Sequence, residues 1–157
     1  MIVYEYKQHE YLLAKWYGQL VKDGDFDSVF HASLRPMTDF LDHFRKWGLM
    51  FILEDDQIVA AMWGTPFMDG VTLGLWLVEN KRANRKVVEE IMDCLERATT
   101  LFPVLIALTK KQSLRKLYEH VGFKPIGEVP KLWDGNTVIA YYLLPENFRP
   151  MGKKHAE

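Results

Sequence analysis

A chain of 157 residues is long enough to bury one substantial core and too short for two comfortable ones. Its 48% hydrophobic and 26% charged residues exclude a disordered or fibrous protein. With 20 basic and 21 acidic side chains the net charge is -1, which excludes any global attraction to nucleic acid or an anionic membrane; the single cysteine, Cys94, excludes an internal disulfide and a cysteine-rich zinc site.

The opening MIVYEYKQHE has no basic-then-apolar signal pattern, and no apolar run reaches membrane-spanning length, so the expectation is a cytoplasmic protein. Ile2 to Tyr6, rich in β-branched and aromatic residues, predicts a short strand. From His9 to Val21 the residues Leu13, Trp16, Tyr17, Leu20 and Val21 recur at spacings of three and four and predict a helix that Asp23-Gly24 ends. DGDFDSVFHASLRP then reads as a loop, followed by a helix carrying Met37, Phe40, Leu41 and Phe44 on one face and closed by Gly48. LMFILEDDQIVAAMWG reads as a hairpin of two strands around Glu54-Asp55-Asp56-Gln57, TPFMDG turns the chain again, and VTLGLWLV supplies the next strand.

After this meander, Asn84 to Ala98 places Val87, Val88, Ile91, Leu95 and Ala98 at helical spacing, PVLIALT is a continuous apolar run, and Ser113 to His120 is another helix. A continuous apolar run between helices suits a strand covered on both faces and running parallel to a neighbour. Lys124 to Val129 and Thr137 to Leu144 predict two final strands around an Asp134-Gly135 turn. The order β-α-α-β-β-β-α-β-α-β-β predicts an α+β fold with a mixed sheet of about seven strands and about four helices. Residues 1–148 form one domain in this reading, and 149–157 a flexible tail. Cys94, between Ile91 and Leu95, reads as a buried structural thiol in preference to a reactive one.

The segment SLRKLYEHVGFKPIGE joins a helix to a strand. Leu114, Leu117 and Val121 share its apolar face, Gly122 supplies the left-handed residue that ends the helix, and Tyr118 lies at the edge of that face with a ring to bury and a hydroxyl to present. In Leu117, Tyr118, Gly122, Phe123 and Gly127 this segment resembles a motif of the GNAT N-acetyltransferase family, and the order of elements over nearly the whole chain is similar to that fold. The resemblance implies acetyl-CoA as co-substrate, an amine acceptor, and direct transfer of the acetyl group. It implies for Tyr118 the role of acid toward the departing CoA thiolate, with a plain packing role as the alternative, and for Leu77, Val78, Arg82, Lys86, Val87 and Lys111 a place against the cofactor.

One stretch departs from that family. Its phosphate loop follows the central strand with Gln or Arg, two residues, Gly, one residue, and Gly or Ala, so that backbone N–H groups cradle the pyrophosphate. Here VENKRANRKVVEEI contains no glycine, with Lys86 and Val88 at the small-residue positions. Two readings stand side by side: Lys81, Arg82, Arg85 and Lys86 replace backbone donors with side-chain cations, or the cluster is a solvated helix start. Glu79 at the strand end is the first candidate base or water-holder for the acceptor amine, with Glu54 second; a solvated strand-end carboxylate is the alternative for each. In the GNAT arrangement Phe26, Phe30 and Trp133 would line the acceptor pocket; loop-anchoring packing is the alternative. The five histidines show no metal-ligand spacing, so no metal site is assigned. The functional alternative is a catalytically inactive GNAT-like binding or structural protein, similar to those of tailed phages. The acceptor stays open among a polyamine, an amino sugar, a protein N-terminus and a lysine.

Overall fold

The computed structural model describes residues 2–5, 10–46, 48–78, 85–110 and 112–150. The elements run β1 (Ile2–Glu5), α1 (Glu10–Lys22), α2 (Phe26–Val29), α3 (Met37–Lys46), β2 (Gly48–Glu54), β3 (Gln57–Phe67), β4 (Gly70–Leu77), α4 (Arg85–Leu101), β5 (Leu105–Thr109), α5 (Gln112–His120), β6 (Lys124–Trp133) and β7 (Asn136–Leu143). The strands form one seven-stranded sheet in the order β1-β2-β3-β4-β5-β7-β6. Of its neighbouring pairs only β4 and β5 are parallel, so the sheet is mixed and the fold is α+β.

Alternation along the strands sorts the apolar residues into two cores. Ala61, Trp63 and Trp76 face α1, α2 and α3, whereas Ala60, Met62, Leu73, Leu75 and Leu77 face α4 and α5. Trp16 of α1 is fully buried at the centre of the first core, with its ring 5.4 Å from those of Phe30 and Phe51 and 6.0 Å from that of Trp76. Phe40 and Phe44 complete this aromatic core, in the orientation their helical spacing predicts. The second core takes Val87, Ile91, Met92, Cys94 and Leu95 from α4. Among the described residues no helix is long and apolar enough to cross a membrane.

The turns follow local chemistry. Asp55 (φ 51°) and Asp56 (φ 60°) form the two-residue link between β2 and β3, and Asp134 (φ 49°) with Gly135 (φ 80°) the link between β6 and β7. Aspartate and glycine tolerate the left-handed conformations that such hairpins require. The segment 23–36, expected to be a loop, folds instead into α2 and a single 3-10 turn over Ala32–Leu34. Burial of Phe26, Val29 and Phe30 against the first core drives this, since an irregular loop could not cover those side chains and satisfy its backbone together. At the C-terminal end the backbone N–H of Arg149 donates to Val121 O at 2.9 Å, so the packed chain continues one residue past the boundary expected at 148. Of the tail expected over 149–157, residues 151–157 lie outside the described residues.

Candidate functional site

β4 and β5 pair over a short register only, Val71 with Leu105, Thr72 with Ile106 and Leu73 with Ala107. Beyond it β4 continues to Leu77 against β3, and β5 to Thr109 against β7, so the two parallel strands splay apart at their C-terminal ends. A cavity of about 150 Å³ sits in this wedge. Leu73 and Leu75 of β4, Thr109 of β5, and Leu114 and Tyr118 of α5 line it on the side of α4 and α5. Thr72 and Gly74 of β4, Trp63 and Thr65 of β3, Ser28 and Val29 of α2, and Trp133 of β6 line it toward α1 to α3. The opening therefore passes through the sheet and joins its two faces.

Tyr118 is 3% exposed, with its ring 5.0 Å from that of Phe123 and 5.9 Å from that of Tyr141. Burial pushes its phenol well above the usual value, so the group stays protonated over the whole neutral range. Among the described residues its hydroxyl has no hydrogen-bond partner, although the side chain lines the cavity. The hydroxyl is a protonated donor on the cavity wall, placed to bond an acceptor held there. Tyr141, behind it, donates through its hydroxyl to Glu119 Oε1 at 3.2 Å and accepts from Arg115 Nε at 3.4 Å, which holds that ring in place.

Toward α2, three bonds tie the β6–β7 turn across the cavity. Trp133 Nε1 donates to Phe30 O at 3.1 Å, and the backbone N–H of Ala32 donates to Asp134 Oδ2 at 3.1 Å. His31 Nε2 stands 3.1 Å from Asp134 Oδ1. His31 Nδ1 accepts from the backbone N–H of Ser33 at 3.1 Å, so Nε2 carries the proton in the neutral ring and donates it to Asp134. The Lys110 ammonium lies 5.0 Å from the centroid of the Trp133 ring, within cation–π range.

The expected site residues divide into three groups. Tyr118 and Trp133 are brought together on the cavity wall. Phe26 and Phe30 are not: at 1% and 4% exposure they belong to the aromatic core around Trp16, and their neighbours Ser28 and Val29 take the wall positions. Phe26 opens α2 and Phe30 follows its end in extended backbone, and the two rings pack together, 5.5 Å apart, in the aromatic core. Phe30 contributes only its carbonyl, as the anchor for Trp133. Leu77 and Val78 lie at the end of β4, where the Val78 N–H bonds Val59 O at 2.9 Å. Val87 is fully buried, so its side chain serves the core and faces no ligand. Lys86 is exposed on the first turn of α4, beside Arg85, whose Nε bonds Glu89 Oε1 at 2.8 Å. Glu79, Lys81, Arg82 and Lys111 lie outside the described residues. Glu54 sits by the β2–β3 turn and does not line the cavity.

The sequence reading missed Trp63, Thr65, Thr72, Ser28 and Thr109. A signal for Trp63 was present in the glycine inside VTLGLWLV. Gly74 pairs with Trp63 across β3 and β4, and a Cβ at Gly74 would overlap the indole. A glycine within a strand often marks such a close approach, yet nothing local to it names the strand or residue that approaches. Among the described residues no three histidine, cysteine or carboxylate side chains converge as a metal site would require.

No protein-family model matches the sequence, and no curated protein matches it. Solved structures do resemble the fold. A variant of the spermidine N-acetyltransferase SpeG from Vibrio cholerae superposes with a TM-score of 0.70 at 10% identity, over 93% of this chain and 96% of that one. Mycobacterium smegmatis RimJ in complex with CoA-disulfide gives 0.66 at 14% identity over 85% of this chain and 78% of that one. A ribosomal-protein-alanine N-acetyltransferase from Brucella melitensis gives 0.61 at 16% identity over 92% and 99%. The parallel pair that splays around a cavity, the α5 tyrosine on its wall, and these superpositions agree on one architecture: the chain has the GNAT acetyltransferase fold.

Proposed function

We propose that the protein is an N-acetyltransferase that moves an acetyl group from acetyl-CoA directly to an amine. The observation that carries this reading is Tyr118: a buried phenol, protonated and unpartnered among the described residues, on the wall of the wedge between β4 and β5. Acetyl-CoA would supply the activated acyl group as a thioester. The splay exposes backbone groups of β4 beyond Leu73 that β5 no longer pairs, and these can hold an extended chain by β-type hydrogen bonds. Leu114 and Leu108 would keep water from the reacting end. In the transfer, the C–N bond to the neutral acceptor would form as the C–S bond breaks, Tyr118 would give its proton to the leaving sulfur, and the proton lost from the new amide would return to Tyr118 by way of solvent. Arg82, Lys86 and Lys111 would bind the phosphates by charge, and Glu79 would take the acceptor's proton. Chemistry of this kind fits a cytosolic enzyme.

A second reading, a GNAT-like binding protein without catalysis, draws on the start of α4. Arg85, in the first turn, is already paired to Glu89, so that guanidinium is engaged where a phosphate would sit. Calorimetric titration with acetyl-CoA, followed by single-turnover acetyl transfer in wild type and Tyr118→Phe, separates the two. Binding together with a loss of tenfold or more in transfer rate on removing the hydroxyl is expected, since general acid catalysis contributes roughly a hundredfold or more. Absence of acetyl-CoA binding would establish the binding-protein reading.

A further inference from the structure

The acceptor half of the cavity restricts which amine can enter it. Its wall is apolar and aromatic, from Trp63, Trp133 and Val29, with the hydroxyl-bearing Thr65 and Thr72 facing each other across β3 and β4. No carboxylate lines it among the described residues. The acidic side chains close in the chain to Ser28 and Trp133 are already engaged: Asp25 Oδ2 accepts from Trp76 Nε1 at 3.4 Å, Asp27 Oδ1 accepts from Arg35 Nη1 at 3.0 Å, and Asp134 holds Ala32 N and His31. A polycation desolvated here would find no counter-charge among these residues, and burying unpaired charge is costly. The nearby charge has the opposite sign. Lys110 directly follows the wall residue Thr109, and its ammonium is held over Trp133.

Size restricts the acceptor further. The bonds from Trp133 to Phe30 and from Asp134 to Ala32 and His31 fasten the β6–β7 turn across the cavity. A volume of about 150 Å³, which also takes in the Tyr118 side of the wedge, leaves room inside for one benzene-sized side chain.

We infer that the acceptor is a free amino acid with an apolar or aromatic side chain. The side chain lies between Trp63 and Trp133, the α-carboxylate pairs with Lys110, and the α-amine faces the splay near Thr65 and Thr72. The assignment rests on the acetyl-transfer reading. Its step is the same: the neutral α-amine forms the C–N bond as the thioester C–S bond breaks, its proton leaves to solvent, and the sulfur is protonated by Tyr118.

The test is calorimetric titration of the full chain with L-phenylalanine and with spermidine, each with and without CoA, for wild type, Lys110→Met and the control Lys116→Met. L-phenylalanine is expected to bind and spermidine not to. Lys110→Met should weaken L-phenylalanine by about tenfold or more, the loss of one charge-assisted hydrogen bond, while Lys116→Met leaves it unchanged. Lys110→Gln, which keeps a polar hydrogen-bonding end without the charge, should repeat the loss. Tighter binding of spermidine, no binding of L-phenylalanine, or indifference to both Lys110 variants would overturn the inference. Thiol release from acetyl-CoA is measured in parallel. Binding of L-phenylalanine through Lys110 without thiol release would leave the amino-acid pocket standing and sink the acetyl-transfer reading alone.

Discussion

The indole Nε1 of Trp133 donates to the carbonyl of Phe30 at 3.1 Å, a bond between residues separated by 103 positions in sequence. It joins the last hairpin of the chain to the segment after the first helix and closes the cavity on the side facing α2. Trp133→Phe keeps an aromatic wall, smaller under the Lys110 ammonium, and leaves the Phe30 carbonyl without its donor. The expected loss is about 1 kcal/mol of stability, a fall of about 2–4 °C in melting temperature for a chain of this size. Thermal unfolding checks it, and an unchanged midpoint would mean that the Asp134 bonds hold the turn alone.

Tyr118 carries a pH signature. Its folded-state pKa is raised by burial above the ordinary phenol value, so the unfolded chain ionises first as pH rises. The contribution to stability is therefore complete below about pH 10 and is lost above it, by up to about 1.4 kcal/mol per pH unit. Urea unfolding at about pH 8 and about pH 11 should show a smaller alkaline loss in Tyr118→Phe than in wild type. Equal losses in the two proteins would show that the phenol ionises as readily folded as unfolded.

Gly122 ends α5 with φ 107°, and a Cβ there would overlap the carbonyl oxygen of Asn147. The next residue anchors the helix end, since Phe123 N donates to Tyr118 O at 2.9 Å. Gly122→Ala thus meets both a strained backbone and a backbone clash, and should cost roughly 1–3 kcal/mol. A lower urea midpoint with an unchanged slope is the expected result. A midpoint equal to that of wild type would show that the 145–147 turn shifts freely.

Cys94 is 8% exposed, and burial raises its thiol pKa against the smaller opposing effect of Arg97, whose Nη2 lies 3.2 Å from Sγ. Little thiolate forms near neutral pH. Modification by an aromatic disulfide reagent should run at least about tenfold slower in the native protein than in urea. Equal rates would mark an accessible, activated thiol.

The sequence by itself determined the local structure wherever one side chain's chemistry was enough. The three- and four-residue spacing of Leu13, Trp16 and Leu20 gave α1 its buried face, the Asp55-Asp56 and Asp134-Gly135 pairs located two hairpin turns, and Gly122 stopped α5. Continuous apolarity in PVLIALT marked the strand that runs parallel to β4. Tertiary structure decided what depends on two distant segments at once. Whether α2 forms, and whether Phe26 and Phe30 face a pocket or a core, is settled by Trp16, Phe40 and Trp63 arriving from three other elements. The cavity wall is likewise a non-local object: Trp63 is held over Gly74, Trp133 is fixed by Phe30, and Tyr118 is buried by Phe123 and Tyr141. Periodicity reports which face of an element is apolar. Which partner covers that face, and where two strands part to leave a space, depends on register and packing that no single segment encodes.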